Sequence, residues 1–294
     1  METHVTGQLS TRGELIYQDT TFGRKEFPKA AVFLLELITC LAKRFRYTTK
    51  PLKIEPKHLL DPLLSHQLFH FLTSPSEQIA QVQELINLRN NIGIKEIPII
   101  IWEPAPPSCM PENLSMFLEA IKLVDVVSPN HIELAAFFGI ASDNDEQFDR
   151  DIIEELARKC VLSSIGHNNQ GTVVIRAGHE GCCVYSRRRK NFVWLPPFYE
   201  NSPKVIDPTG AGNAFLGGFA VGLSETADDV LASCYGTVAS SFALEQIGLP
   251  ILNPLQCSTE YEANVCLETW NGASVRARLR EYTTRVGTAL VNPA

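Results

Sequence analysis

No C-x-x-C pair occurs among the eight cysteines, at positions 40, 109, 160, 182, 183, 234, 257 and 266. This excludes the common structural zinc spacings, and in a chain of 294 residues it is not a disulfide framework. Small hydrophobes scattered through a reducing, cytoplasmic protein are the expectation. Long apolar runs are missing too. The longest, AAVFLLELITCLA at 30–42, is broken by Glu36 and too short to span a bilayer comfortably, so no membrane partner is expected. Residues 1–29 are polar and hold no apolar core of the kind a secretory leader needs. Positive charge is in deficit: 26 Lys and Arg face 33 Asp and Glu, a net charge of −7, which argues against a nucleic-acid partner. The basic runs KRFR (43–46) and RRRK (187–190) are short and read as solvated surface. Neither an internal repeat nor a low-complexity tract is present, and the Pro-rich EPAPPSCMP (103–111) is short enough to be a loop. His66 and His70 stand at i, i+4, but Gln67 occupies the place of a zincin glutamate and His70 lies in a strand-like run, so zinc is not expected there.

What is present is alternation. LFHFLT (68–73), IPIIIWEP (97–104), LVDVVSPN (123–130) and GTVVIRAG (171–178) read as strands, and the second and fourth are apolar on both faces, as in a sheet covered on both sides. Amphipathic stretches lie between them. SPSEQIAQVQELINLRNN opens with Ser74 as N-cap, Pro75 at the first helical position and Glu77 completing a capping box, and Ile79, Val82, Leu85 and Ile86 mark one face. ENLSMFLEAIK, HIELAAFFGI and EQFDRDIIEELARKCVLS read as further helices, as do segments at about 211–223, 226–247 and 272–287. GCCVYS and NFVWLP, within 181–196, look like an antiparallel pair. Such alternation predicts an α/β fold with a doubly wound, mainly parallel sheet. In sheets of that kind ligands bind at the carboxyl ends of the strands. Those ends carry WEP (102–104), SPN (128–130), RAG (176–178) and DPTGAGN (207–213), which converge on one rim.

Three motifs on the rim each admit two readings. In DPTGAGNAF, Gly210, Ala211 and Gly212 bring backbone N–H groups to a helix N-terminus, which makes either an anion cradle or an ordinary glycine-rich turn. It is not a Walker A loop, because Asn213 and Ala214 follow the last glycine, nor a dinucleotide fingerprint, because Phe215 replaces the third glycine. SPNHIE (128–133) is either a helix cap, with Asn130 at N-cap and Glu133 at N3, or an amide and a carboxylate aimed at a metal-bound phosphate. RAGHEG (176–181) is either a hairpin turn or a nucleotide-contacting loop.

Together these residues resemble the ribokinase-like (PfkB) carbohydrate and nucleoside kinases. DPTGAGNAFLGGFA is similar to that family's signature D-[TP]-x-G-A-G-D-x-F, SPNHIE to its N-x-x-E motif, VVIRAGHEG to its nucleotide-binding strand and turn, and YGTVASSFALEQIGLP (235–250) to the helix near its adenine site. TRGELIYQD and IIIWEP resemble a fungal branch typified by a "maintenance of killer" protein. The resemblance covers roughly residues 66–250. It implies a three-layer αβα ribokinase-like fold and phosphoryl transfer from ATP, with Mg2+, to a hydroxyl of a sugar, nucleoside or related small molecule. By the same resemblance Gly210, Ala211 and Gly212 form the anion hole, Arg176, Gly178, Gly181, Asp207 and Thr209 line the nucleotide site, and Asn130 and Glu133 hold magnesium through water. A homodimer is compatible with it.

Two departures bear on activity. The family's catalytic base is the aspartate that ends G-A-G-D, and here that position is Asn213. An amide accepts no proton, and losing a general base typically costs about 10²–10⁴ in rate, which leaves a nucleotide-binding pseudokinase with a regulatory or scaffold role as the alternative. The second departure is at the amino terminus. Residues 1–65 are expected to be an incomplete N-terminal part of the domain, without the family's Gly-Gly sugar turn, and 66–294 the nucleotide-binding core. Segment 28–44 interrupts FGRKEF and FRYTTKP, which would read smoothly if joined, and is expected to be an insertion.

Overall fold

The computed structural model describes residues 13–15, 45–47, 53–140, 148–253 and 269–291, so the expected insertion at 28–44 lies outside the described residues. Strands β1 (Gly13–Leu15) and β2 (Phe45–Tyr47) form a small antiparallel pair of their own. The main sheet contains β3 (Leu68–Thr73), β4 (Ile99–Pro104), β5 (Val126–Val127), β6 (Thr172–Arg176), β7 (Cys182–Ser186) and β8 (Val193–Leu195), side by side in that order. β3 to β6 are parallel, and β7 and β8 return antiparallel.

The apolar strands are buried on both faces because alternate residues leave a strand on opposite sides. Ile100 and Trp102 of β4 point to one face, where they pack with α2 (Pro75–Asn91), α3 (Leu114–Ala120), α4 (His131–Phe137) and α5 (Arg150–Leu162), all of which follow the one-turn helix α1 (Asp61–Leu64). Ile101 points to the other face, against α6 (Ala211–Thr226), α7 (Asp229–Ala243) and α8 (Val275–Val291). The result is the three-layer αβα arrangement expected. The adjacent cysteines divide in the same way, Cys182 into the second layer and Cys183 into the first. Both are buried free thiols, as expected of small hydrophobes, and burial pushes the Cys182 thiol up to about 12.

The α6–α7 contact explains why a helix rich in glycine is stable. A Cβ at Gly222 would stand 2.8 Å from the Ala232 Cα, and one at Gly236 would stand 2.8 Å from the Phe215 carbonyl oxygen. Packing of the two helices at that distance offsets the poor helix propensity of glycine.

Several elements differ from expectation. The strand expected over 123–130 is reduced to Val126–Val127; beyond it the Ser128 amide still donates to Trp102 O at 2.8 Å, Pro129 has no amide to donate, and a bridge between Asn130 and Arg176 follows. ENLSMFLEAIK is a short α3 flanked by 3₁₀ turns at Pro111–Asn113 and Ile121–Leu123. The last helix begins at Val275, and Thr269–Trp270 (β10) and Ala273–Ser274 (β11) form a hairpin that joins β9 (Leu252–Asn253) in a second small sheet. The basic run 187–190 is not all solvated surface: Arg189 donates through Nε to Asp229 Oδ1 at 2.7 Å and ties the β7–β8 turn to the start of α7. The capping box of α2 forms as read, with the Ser74 amide donating to Glu77 Oε2 at 3.1 Å. Buried Arg89 was not anticipated. Its guanidinium donates to the carbonyl oxygens of Leu64, His66 and Glu96, which closes the entry and exit of that helix.

Candidate functional site

The carboxyl ends of β4, β5 and β6 meet at a single guanidinium. Arg176, the last residue of β6, donates through Nη2 to the Ser128 carbonyl oxygen at 3.0 Å, pairs with Glu103 Oε1 at 2.7 Å and lies 3.5 Å from Glu133 Oε2. Ser128 is itself anchored, its hydroxyl donating to the Val174 carbonyl oxygen at 2.7 Å. Glu103 and Glu133 are buried at 6% and 8% exposure, and an ionised carboxylate is tolerated at such depth only with partners. Burial opposes ionisation of Glu103, but His70, whose Nε2 is 3.6 Å from Glu103 Oε2, and Arg176 overcome it and hold the carboxyl below its ordinary value. Burial wins at Glu133, where it pushes the carboxyl up to about 7 against the pull of Arg176.

SPNHIE adopts its capping geometry in full. Asn130 Oδ1 accepts from the Glu133 amide at 2.7 Å, and Glu133 Oε2 accepts from the Asn130 amide at 2.7 Å. The cap and the rim are therefore the same residues: the capping box turns the Glu133 carboxylate toward Arg176.

The glycine-rich loop arrives from the other layer. No strand precedes it, contrary to the expected strand-to-helix turn. Instead the amides of Ile206 and Asp207 both donate to the Leu244 carbonyl oxygen at the end of α7, which holds the loop against that helix. Buried Asp207 shapes the turn by accepting from the Thr209 amide at 2.9 Å. Gly210 then takes φ +83°, a left-handed conformation that suits glycine, and serves as N-cap of α6 with no capping side chain. The Ala211 amide donates to Pro208 O, and the amides of Gly212 and Asn213 follow in the first turn of a 16-residue helix. The Asn213 side chain is exposed. Gly212 rests on the rim: a Cβ there would lie 2.5 Å from Arg176 Nη1. This is a backbone surface suited to an anion, with the positive end of a helix dipole behind it and a guanidinium beneath.

The turn after β6 behaves differently. Gly178–Glu180 forms a 3₁₀ turn that closes the β6–β7 hairpin, with the Gly181 amide donating to Gly178 O. Gly181, at φ +87°, packs so tightly on β8 that a Cβ would overlap the Leu195 carbonyl oxygen. Of the expected site residues, the structure brings Asn130, Glu133, Arg176 and Gly212 together, sets Gly210, Ala211 and Asn213 in the adjoining turn after exposed Thr209 and buried Asp207, and places Gly178 and Gly181 in the hairpin. Glu103 and Ser128 were missed as site residues. The signal for Glu103 was its position, a lone carboxylate in the otherwise apolar IIIWEP.

Beside the loop opens a cleft of about 890 Å³, lined by Ile206, Glu245, Ile251, Asn271 and Arg278 among others. Arg278 stacks 3.9 Å over the Phe242 ring and pairs with Glu245 at 2.7 Å, and Glu245 also accepts from Tyr199. Among the described residues no group of three or more His, Cys, Asp and Glu could hold a metal ion, and no helix is long and apolar enough to cross a membrane.

The sheet order and the three layers define a ribokinase-like α/β protein. A profile described as pfkB family carbohydrate kinase matches residues 36–254, well over half of the chain. The chain belongs to the PfkB family of carbohydrate kinases. It is similar to an uncharacterised protein of Schizosaccharomyces pombe, 32% identical over 251 residues that cover 81% of this chain and 65% of that protein. It is also similar to the protein MAK32 of Saccharomyces cerevisiae, 30% identical over 226 residues that cover 74% of this chain and 57% of that one. These relatives bear out the fungal branch, and the chain spans less than two thirds of the length of either. Among solved structures, the fructokinase of Vibrio cholerae O395, in a form bound to fructose, ADP and calcium, aligns with a TM-score of 0.52 at 17% identity, over 82% of this chain and 68% of that one, a likeness of fold.

Proposed function

We propose that the chain binds ATP along this rim and transfers its terminal phosphoryl group to a hydroxyl of a sugar, nucleoside or related small molecule. The observation that carries this reading is the seating of the Gly210–Asn213 helix start on the buried Arg176, at the carboxyl end of a parallel sheet, in a chain of the carbohydrate kinase family. The amides of Gly212 and Asn213 would hold the phosphates, and the neighbouring cleft is large enough for a nucleoside. ATP supplies an activated phosphoryl group; the chain's own part is to place it and to disperse its charge, the two contributions that dominate this chemistry. Asp207 shapes the loop by accepting from the Thr209 amide.

The residues fit a polyphosphate better than a directly bound metal. Asn130 Oδ1 and Glu133 Oε2 are engaged with each other's amides, so Mg2+ would be carried in with the phosphates and touched by these two side chains through water.

A second reading, a nucleotide-binding pseudokinase with a regulatory or scaffold role, is favoured by one observation: the side chain in the place of the base is the exposed amide of Asn213. The two separate in one experiment. Titration calorimetry with Mg-ATP, followed by ADP release over a panel of sugars, polyols and nucleosides, should show saturable 1:1 binding with turnover on the first reading and without turnover on the second. Absence of ATP binding at millimolar concentration contradicts both.

A further inference from the structure

We propose that Arg176 is a positioning residue for the phosphate-binding loop, held to that task by Glu103. The inference rests on the nucleotide reading above. Its basis is that one guanidinium joins the rim to the loop. Nη2 is taken by Ser128 O, Glu103 Oε1 and, at 3.5 Å, Glu133 Oε2, which belong to the ends of β5 and β4 and to α4. With Nη2 held by Ser128 O and Glu103 Oε1, the planar fork has a fixed direction, and Nη1 occupies the space beside Gly212, 2.5 Å from where a Cβ would stand. The first turn of α6 carries no capping side chain and runs Ala211, Gly212, Asn213, none of them charged. A positive charge beside this helix start is therefore supplied from β6, by Arg176.

The cluster is also costly as a purely structural device. It buries one guanidinium with two carboxylates, Arg176 Nε has no hydrogen-bond partner, and Glu103 Oε2 has only His70 Nε2 near it, at 3.6 Å. An apolar trio of similar volume would serve packing as well or better. What such a trio could not do is support the loop backbone while presenting a cation under the place where phosphate charge gathers.

The test compares two probes, Mg-ATP and adenosine, by calorimetry on the full chain. Adenosine reports the cleft and ATP reports cleft and loop together. Arg176→Met should weaken Mg-ATP binding by about 10- to 100-fold, the value of hydrogen bonds to a charged group, and leave adenosine affinity unchanged. Arg176→Lys, which restores the charge but not the fork, should recover part of the loss. Glu103→Gln keeps the shape, frees the guanidinium from its strongest anchor and should weaken Mg-ATP alone, by a smaller factor; it decides the matter if Arg176→Met does not fold. Equal affinity of the wild type and Glu103→Gln for Mg-ATP, or a parallel loss of ATP and adenosine, overturns the proposal while leaving the nucleotide reading in place. A wild type that binds neither probe overturns both.

Discussion

Asn213→Asp is expected to raise the rate of the proposed ATP-dependent phosphoryl transfer by about 10²–10⁴-fold at neutral pH, the usual contribution of a positioned general base. The substitution is nearly isosteric, and the side chain is exposed in the first turn of α6, so nothing in the packing opposes it. A carboxylate there also faces the positive end of the helix, which favours its ionised form and adds about 0.3–1 kcal/mol of stability. Activity and stability therefore rise together, a combination that improved packing alone does not produce. The measurement is steady-state ADP release with the best acceptor from the sugar, polyol and nucleoside panel. The variant's rate should fall as the pH drops through the carboxylate range, because protonation removes the acceptor, and the wild type should lack that limb. A wild-type rate equal to that of the variant would move the base to another group and remove the reason to suspect a pseudokinase.

Gly181→Ala is expected to unfold much of the protein's margin of stability. Two costs add. A left-handed φ penalises any residue with a Cβ by about 1–2 kcal/mol, and forcing an atom into packed backbone costs about 1–3 kcal/mol more. Against a typical stability of about 5–15 kcal/mol, this lowers the urea midpoint sharply with an unchanged slope. Gly178→Ala is the matched control. Its φ is +58°, but nothing lies within 4 Å of a Cβ there, so only the first cost applies. If Gly181→Ala instead left the midpoint unchanged and abolished nucleotide binding, the hairpin would be a ligand contact rather than a fold constraint.

These two glycines show what could be read from the sequence and what could not. RAGHEG looked alike as a hairpin and as a nucleotide loop because both need left-handed glycines; the packing of Gly181 on Leu195, 14 positions away, decides what that residue does, and no local pattern carries it. The layers were legible because IPIIIWEP and GTVVIRAG are apolar on both faces and the helices between them carry clear caps at Ser74 and Asn130. The rim was legible because strand ends in a parallel sheet must share one edge. Its centre was not. Glu103 and Arg176 are 73 positions apart, and only the parallel order of β4, β5 and β6 makes them a pair. The β9–β11 sheet escaped notice because its strands have two residues each, too few to show a period.

In the proposed binding mode, phosphate is held by backbone at the start of α6. Amide chemical shifts test it directly. In ¹⁵N-labelled protein, titration with Mg-ATP should move the Gly212 and Asn213 amide resonances by more than adenosine does, because only the triphosphate reaches them. If Mg-ATP binds while both resonances stay where they are, the phosphates lie elsewhere and the account of the rim is wrong.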